Sequence, residues 1–593
     1  MKFLFVNAKN YPYTILDFGK PLKSFILKNL NTPTNLKNFF SQLEDFLSQG
    51  YYLGLILSYE LGYFFEEKFK NLRKDFYSFP LAYAGIYKKP QKYKCTLKEF
   101  REYEDKFKDF KPNIDKSEYF SAIKKIKDYI SSGDTYQVNY TFKIKFRYKG
   151  DLENLFFKLL FCQRCEYAFF IREKDWSVLS FSPELFLKKK GNILISSPMK
   201  GTISRGYILT DDKRKKQILK NNEKDRAENI MIVDLIRNDM GRICKFGSVY
   251  VSELFKIKTY PTLHQMISTI KGDLRTHNLY EIFKALFPCG SVTGAPKIRT
   301  MEIIHELEKE ERHVYTGAIG FVTPKKEFLF NVAIRTLIFW HTEIPEVYQG
   351  EAGIGGGIVW DSIEEKEYNE AILKAKFFTF TFPYFELIET IYFPFEKNLL
   401  LPYHYKRLKN SAKYFRFKIP KELSTYENWL KFLNSQIKST EPLRVKLRLS
   451  PEGKFKIDTF PFEPWNKNLK IGLKERDFPI TVFLFHKTTN RNEYDYYRKE
   501  ALKQGVDEII FYDENGYLLE GTISNVFIDL GDRVLYTPPI NLGLLNGVLR
   551  SYLISQEKVK EKKLHINDLN KAKRIYIGNA VRGLGKVKEW VIL

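Results

Sequence analysis

Glu364-Glu365-Lys366-Glu367-Tyr368-Asn369-Glu370-Ala371-Ile372-Leu373-Lys374-Ala375-Lys376 runs directly into Phe377-Phe378-Thr379-Phe380-Thr381-Phe382-Pro383, and this junction decides how the chain is built. The first stretch reads as a helix, acidic at its start and basic at its end, as the helix dipole favours. The second is aromatic and β-prone, and it stops at a proline. Beyond it, Phe385-Glu386-Leu387-Ile388-Glu389-Thr390-Ile391-Tyr392-Phe393 opens a strand-like pattern as if a new protein were starting. The chain therefore reads as two modules, 1–381 and 382–593. Within the first, 1–115 forms an N-terminal part and 116–381 a core.

Each module mixes strand and helix signals, so the expected class is α+β (α/β mixed). In the first, strand-like runs such as Ile193 to Ser197 and Phe328 to Ile338 alternate with helices such as Ser117 to Ser131 and Asp225 to Arg237. Ser117 is the expected N-cap of the earlier helix.

Composition narrows the function classes. The 593 residues exceed what one core can hold, and 44% hydrophobic content excludes wholesale disorder. The formal charge of +26 invites a nucleic-acid reading. The basic residues are interleaved with acids, however, and the densest runs, Lys188 to Lys190 and Lys213 to Lys216, carry no stacking aromatics. A lysine-rich solvated surface is the reading taken, with no nucleic acid. Five cysteines, an odd number, suit a reducing compartment, and Cys162-x-x-Cys165 stands without a second pair to make a zinc site. No apolar run approaches a membrane span and no signal-peptide core follows Met1, so a cytoplasmic location is expected.

Two lysines sit in polar, turn-forming segments: Pro198-Met199-Lys200-Gly201-Thr202 and His486-Lys487-Thr488-Thr489-Asn490-Arg491. Lysine is a useful nucleophile only once its ammonium loses a proton, which burial or a neighbouring cation promotes. Two such lysines suggest two active sites. In the first module Asp225 and Glu228 are i and i+3 on one helix, and Glu367 and Glu370 repeat that spacing on a later one. Either pair alone is an ordinary solvated face. Four converging carboxylates would repel one another, and Mg²⁺ would relieve that. Gly355-Gly356-Gly357 lets backbone amides approach a ligand carboxylate, and Phe287 to Lys297 offers hydroxyls and amides in the same way.

Residues from about 115 to 376 closely resemble the chorismate-utilising enzymes. The matching runs are Ser182-Pro183-Glu184, Pro198 to Thr202, Asp225 to Asp239, Gly290 to Lys297, Tyr315 to Gly320, Ile334-Arg335-Thr336 and Gly355 to Glu370. The resemblance implies that Glu228 and Glu370 bind Mg²⁺ directly while Asp225 and Glu367 hold its waters. It places chorismate's carboxylates on Arg335, Tyr315 and the amides of Gly355, Gly356 and Gly357, with Thr293 and His264 also at the substrate. Family members that add water carry a lysine where this chain has Gln137, so the incoming group is expected to be ammonia. Anthranilate synthases have alanine at the position of Lys200, whereas the aminodeoxychorismate branch has lysine. The implied chemistry is a double displacement with Lys200 as nucleophile and Glu184 as the acid for the departing hydroxyl. No cysteine sits in a Gly-x-Cys-x-Gly turn, so a separate glutamine amidotransferase subunit is the expected source of ammonia.

From Phe385 onward the chain resembles the fold-type IV pyridoxal-phosphate enzymes, through His404 to Leu408, Lys487 to Arg491, Glu520 to Asn525 and Asn546 to Arg550. By that resemblance Lys487 carries the cofactor, Arg407 grips its phosphate, Gly547 and Val548 offer it amides, and Glu520 pairs with the pyridine nitrogen. Transamination and lyase chemistry use the same groups. The lyase reading, loss of pyruvate from aminodeoxychorismate to give 4-aminobenzoate, rests on the neighbouring module. An anthranilate-type first half joined to a branched-chain or D-amino acid aminotransferase is the alternative. Such modules usually pair, which suggests a homodimer through the second half.

Overall fold

The computed structural model describes residues 1–28, 33–96, 106–379, 381, 384–395, 398–532 and 534–593. The chain divides into two compact units, one of Met1–Arg205 with Lys215–Phe382, the other of Gly206–Arg214 with Pro383–Leu593. The boundary expected at residue 382 lies outside the described residues. No described helix is long and apolar enough to cross a membrane.

Among the described residues the first unit holds two ten-stranded sheets, antiparallel throughout. One sheet contributes Phe3, Phe169, Val178 and Ile338, the other Ile56, Tyr83 and Ile319, to a single apolar cluster that fills the space between them. Nearly all of these side chains are fully excluded from water. A large-to-small change at such a ring costs about 3–5 kcal/mol, so the cluster fixes how the sheets face each other. The strand Val347–Ile358 pairs along its length with Gln137–Lys149 but meets Thr336–His341 only as far as Ala352, leaving Gly353 to Ile358 with one bonded edge.

Local chemistry departs from expectation at several points. The helix Lys116–Ser131 is capped by Asp115, not Ser117: Asp115 accepts from the Glu118 amide at 2.8 Å and Glu118 accepts in return from the Asp115 amide at 2.9 Å. That reciprocal pair satisfies two orphan amides, and Ser117 merely donates to Asp115. Phe377, Phe378 and Thr379 continue the helix Glu364–Thr379 instead of forming a strand, because Phe377 and Phe378 lie on its buried side. The run Phe328 to Ile338 is two strands, broken at Arg335, which takes φ +50°.

The second unit contains a three-stranded antiparallel sheet, Leu387–Phe393, Leu443–Leu449 and Phe455–Pro461, and an eight-stranded sheet of mixed direction. Leu473, Ile510, Val526 and Ile577 of the larger sheet are buried in one core.

Candidate functional site

In the first unit Lys200 lies on the strand Met199–Ser204, not in the expected turn. That strand pairs with Leu263–Asp273, and its register slips between Met199 and Thr202 at a bulge where Gly201 takes φ +87°. Bulges re-aim side chains. A Cβ on Gly201 would stand 3.0 Å from the Asp225 side chain, so glycine here admits the helix Glu223–Gly241 close to the lysine. Lys200 Nζ is 3.9 Å from Glu228, and its side chain is 13% exposed. Asn229 donates to the Lys200 carbonyl at 3.5 Å and is itself held by Ser268 at 2.5 Å. Burial holds the Lys200 ammonium below the usual lysine range against the pull of Glu228, and Lys374 adds to the lowering.

Glu184 sits between the strands Trp176–Ser182 and Leu185–Lys190 and is buried. It accepts from Ser291 Oγ at 2.6 Å. Burial pushes its carboxyl up to about 7 even though Ser291 and Lys200 oppose that rise. A carboxyl poised there can hold a proton at neutral pH and release it.

Gly355, Gly356 and Gly357 are residues of the strand Val347–Ile358, and Gly355 and Gly357 admit neighbours too close for a side chain. A Cβ on Gly357 would lie 2.7 Å from both Lys200 Nζ and Gln137 Nε2, and one on Gly356 would meet Lys374 Nζ at 3.5 Å and Glu367 at 3.6 Å. Neighbouring strand residues face opposite ways, so Gly357 looks onto the lysine and Gly356 onto the acidic helix. At Gly355 a Cβ would strike the Tyr140 carbonyl at 2.2 Å. Gln137 is fully buried, and among the described residues neither its amide nitrogen nor its oxygen has a partner. Leaving both ends of a buried amide unpaired is costly, and such a group is the one a polar ligand would satisfy.

The two acidic pairs do act on one another. Burial and the charges of Glu228 and Glu370 raise the Asp225 carboxyl, and burial and Glu370 raise Glu367, which accepts from Ser362 at 2.8 Å. Glu370 is held below the usual range by Lys374, which stands 3.0 Å away and donates to the Gly355 carbonyl at 2.8 Å. Among the described residues no three acidic, histidine or cysteine side chains close into a preformed metal cluster. The donor set nevertheless suits a hard cation, with four carboxylates now offset by the Lys200 and Lys374 ammoniums.

Thr293 is buried and spends its hydroxyl on the Cys289 and Gly290 carbonyls, at 3.3 and 3.2 Å. His264, also buried, contacts Thr259 Oγ1 at 3.1 Å. The Tyr315 ring occupies the space a side chain on Gly353 would need. Arg335 contacts Gln163 at 3.4 Å and faces the Tyr260 ring at 5.8 Å, and burial lowers its guanidinium from the usual range.

In the second unit a cleft of about 460 Å³ is lined by Arg407, Lys487, Glu520, Gly547 and Val548 among others, bringing together all five residues singled out by sequence there. Lys487 follows a short turn of helix, and its carbonyl accepts from the Ile388 amide at 2.9 Å. Burial and the Arg407 charge bring its ammonium down to about 7, against the pull of Glu389. Arg407 is clasped by Glu389 through two bonds of 2.8 and 2.6 Å, and Glu389 also takes His404 Nδ1 at 2.6 Å. Glu389 is buried, yet Arg407 and His404 hold its carboxyl down at about 2. Glu520 accepts from the Tyr494 hydroxyl at 2.7 Å and from the Leu545 amide at 3.0 Å, while burial raises its carboxyl to about 7. Gly547 caps the helix Val548–Ser555, and a Cβ there would collide with Asn525 Oδ1 at 2.0 Å. The segment Thr522-Ile523-Ser524 is folded around the buried Glu508, whose oxygens accept from the Thr522 hydroxyl at 2.5 Å and amide at 2.9 Å and from Ser524 Oγ at 3.1 Å.

A helix N-terminus with a glycine cap, a nearby arginine and an amine near neutrality suit a phosphorylated aldehyde. Sequence reasoning missed Ser291, Lys374, Glu389, Tyr494 and Glu508. Lys374 carries a legible signal, its i+4 spacing from Glu370, whereas Glu389 and Glu508 are joined to their partners only by folding.

Lys200, the carboxylates of Glu184, Glu228 and Glu370 and the buried Gln137 amide gather around one glycine-bearing strand, an arrangement in which polar groups face one another. Residues 3–380 match the family described as chorismate binding enzyme, and residues 386–590 match amino-transferase class IV. The chain belongs to the chorismate-binding enzyme family and carries an amino-transferase class IV domain behind that part. Aminodeoxychorismate synthase component 1 of Klebsiella aerogenes is 40% identical over 260 residues, 44% of this chain and 56% of that protein. Anthranilate synthase component 1 of Aquifex aeolicus is 37% identical over 262 residues, 44% of this chain and 52% of that protein. The chain thus spans about half the length of these curated relatives. The crystal structure of anthranilate synthase component I from Streptococcus pneumoniae shares the fold at a TM-score of 0.52 and 24% identity, over 64% of this chain and 92% of that one.

Proposed function

We propose that the first unit replaces the 4-hydroxyl of chorismate by an amine, giving 4-amino-4-deoxychorismate, and that the second eliminates pyruvate from that product to give 4-aminobenzoate. The observation that carries the reading is Lys200 itself: a buried amine with a depressed pKa beside Glu228, Gln137 and Gly357. In the displacement, the Lys200 nitrogen bonds to C2, the ring double bonds shift and the C4–oxygen bond breaks. Glu184 supplies the proton that lets the hydroxyl leave as water, a contribution of about 10²–10⁴-fold. Ammonia then bonds to C4, the double bonds shift back and the bond from C2 to Lys200 breaks. Gln137, which cannot act as a base, is available to hydrogen-bond the incoming amine, in keeping with ammonia rather than water as nucleophile. Ammonia is expected from a separate glutamine amidotransferase subunit. Glu228 and Glu370, with Asp225 and Glu367 behind them, would hold Mg²⁺, which when bound offsets negative charge on the substrate. Arg335, Tyr315, Thr293, His264 and Gly355 to Gly357 would surround the ring and its carboxylates.

In the second unit pyridoxal phosphate, when bound, supplies an electron sink. Arg407, oriented by Glu389, and the Gly547 and Val548 amides would hold its phosphate. Glu520 would keep a proton on the pyridine nitrogen. Lys487, uncharged just above neutrality, would take the proton from C4 of the amino substrate. Transamination is the second reading, favoured by the family that residues 386–590 match.

Product analysis tests both halves: the protein with chorismate, Mg²⁺, pyridoxal phosphate and ammonium at mildly alkaline pH. 4-Aminobenzoate and pyruvate together, with Lys487→Ala stopping at aminodeoxychorismate, support the reading. 2-Aminobenzoate overturns the assignment of Lys200. Accumulated aminodeoxychorismate from the intact protein returns the second unit to the aminotransferases.

A further inference from the structure

The cleft of the second unit holds more positive charge than its own carboxylates answer. Arg407 is engaged by Glu389, and Arg491 by Asp495 at 2.9 Å. Arg582 rests on the Trp465 ring at 4.9 Å and reaches Glu463 at 3.4 Å. Arg444 and Lys446 differ. They stand two residues apart on the strand Leu443–Leu449, so they share a face, and both line the cleft. Thr390, across from Lys446 on the neighbouring strand, lines it too. Among the described residues neither cation has a carboxylate partner. Asp458, the other cross-strand neighbour of Lys446, is taken by Arg448 at 3.0 Å. Arg444 lies over the Phe460 ring at 4.6 Å, a cation–π contact that leaves the guanidinium donors available.

Two unanswered cations on one rigid strand, half-buried in a cleft, are costly unless an anion joins them. The phosphate grip assigned above draws on Arg407 and on Gly547 and Val548 and does not need this strand. Lys446 also adds to the lowering of the Lys487 ammonium, after burial, Arg407 and Arg491, which puts Lys446 within electrostatic reach of the reacting amine. We propose that Arg444 and Lys446 form a carboxylate-binding subsite that makes the second unit selective for substrates carrying two carboxylates over those carrying one. The proposal rests on reading the cleft as a pyridoxal-phosphate site, where one substrate carboxylate is common to all amino acids. The subsite adds recognition of a second. Aminodeoxychorismate carries two carboxylates, and a branched-chain amino acid carries one.

The test uses the full-length protein loaded with pyridoxal phosphate, titrated with benzene-1,3-dicarboxylate and with benzoate at matched ionic strength. Binding is followed by the cofactor absorption band and, in parallel, by calorimetry. A charged hydrogen bond to a second carboxylate should favour the dicarboxylate by about tenfold or more. Arg444→Met and Lys446→Met should each erode that preference several-fold while the cofactor stays bound, and Lys446→Arg should retain it. Equal affinity of the wild type for the two probes overturns the proposal, as does a preference that survives both methionine variants. A protein that takes up no pyridoxal phosphate overturns the cofactor reading instead, and the calorimetric preference still decides the subsite.

Discussion

Replacing Glu184 by glutamine separates catalysis from stability in a way the burial of this residue makes quantitative. The side chain is 3% exposed and its carboxyl titrates at about 7 instead of 4.5. The folded protein therefore holds a proton between those values that the unfolded chain has lost, and stability falls as pH rises through that window. At about 1.4 kcal/mol per pH unit, the ionised group costs about 3 kcal/mol above neutrality. Glutamine keeps the shape and can still pair with Ser291, yet it never ionises. Glu184→Gln should thus be more stable than wild type by up to about 3 kcal/mol at pH 8 and equal to it near pH 4.5, measured by urea denaturation. The same variant cannot protonate the leaving hydroxyl, so amination at saturating ammonia should fall by about 10²–10⁴-fold. In the wild type, protonated Glu184 drops about fivefold between pH 7 and pH 8, giving an alkaline limb in the rate that the variant lacks. A variant that keeps both its rate and that limb refutes the role. One that shows no stability gain at pH 8 refutes the burial argument.

Gly357→Ala puts a methyl 2.7 Å from Lys200 Nζ and Gln137 Nε2, the movable ends of two side chains. The fold should persist by circular dichroism while amination falls by about 10²-fold, and conversion of supplied aminodeoxychorismate by the second unit should be unchanged. Because the Lys487 ammonium loses its proton at about 7, uptake of pyridoxal phosphate by the cofactor-free protein should quicken about tenfold per pH unit up to neutrality and level off above about pH 8. Stopped-flow absorbance checks that profile. Glu389→Gln leaves Arg407 without its charge partner beside a buried histidine, so stability should drop by about 3–5 kcal/mol and cofactor affinity with it. Glu389 titrates at about 2 when folded, so wild-type stability should decline as pH falls from about 4.5 towards 2, and the variant should lack that decline.

Much of this was legible because local chemistry and spacing are local facts. The i, i+3 acidic pairs fall on single helices, and the lysine at 487 lies within a few residues of the groups that flank it. Other features depend on which strands meet. Lys200 reads as a turn residue because Pro198 and Gly201 are turn formers, but pairing with Leu263–Asp273 overrides them and turns the irregularity into a bulge. The run Gly355-Gly356-Gly357 shows in sequence only that a backbone can be approached closely, and it is partnership with Gln137–Lys149 that holds these residues extended. Ser117 lost the cap to Asp115 because only Asp115 lies three residues ahead of a returning glutamate. Clasps such as Glu389 on Arg407 span turns of chain whose closure no periodicity announces.

Glu508 gives the second unit a property of a different kind. Thr522, Ile523 and Ser524 wrap a buried carboxyl group that the chain itself provides, with bonds of 2.5 to 3.3 Å. A loop that had to wait for an external anion would be ordered only on binding, and that lost freedom would subtract from affinity at about 1–2 kcal/mol per residue fixed. Here the ordering is completed during folding. The wall of the cleft is cast before any guest arrives, so guests meet a rigid mould and differ in affinity by how well they match it.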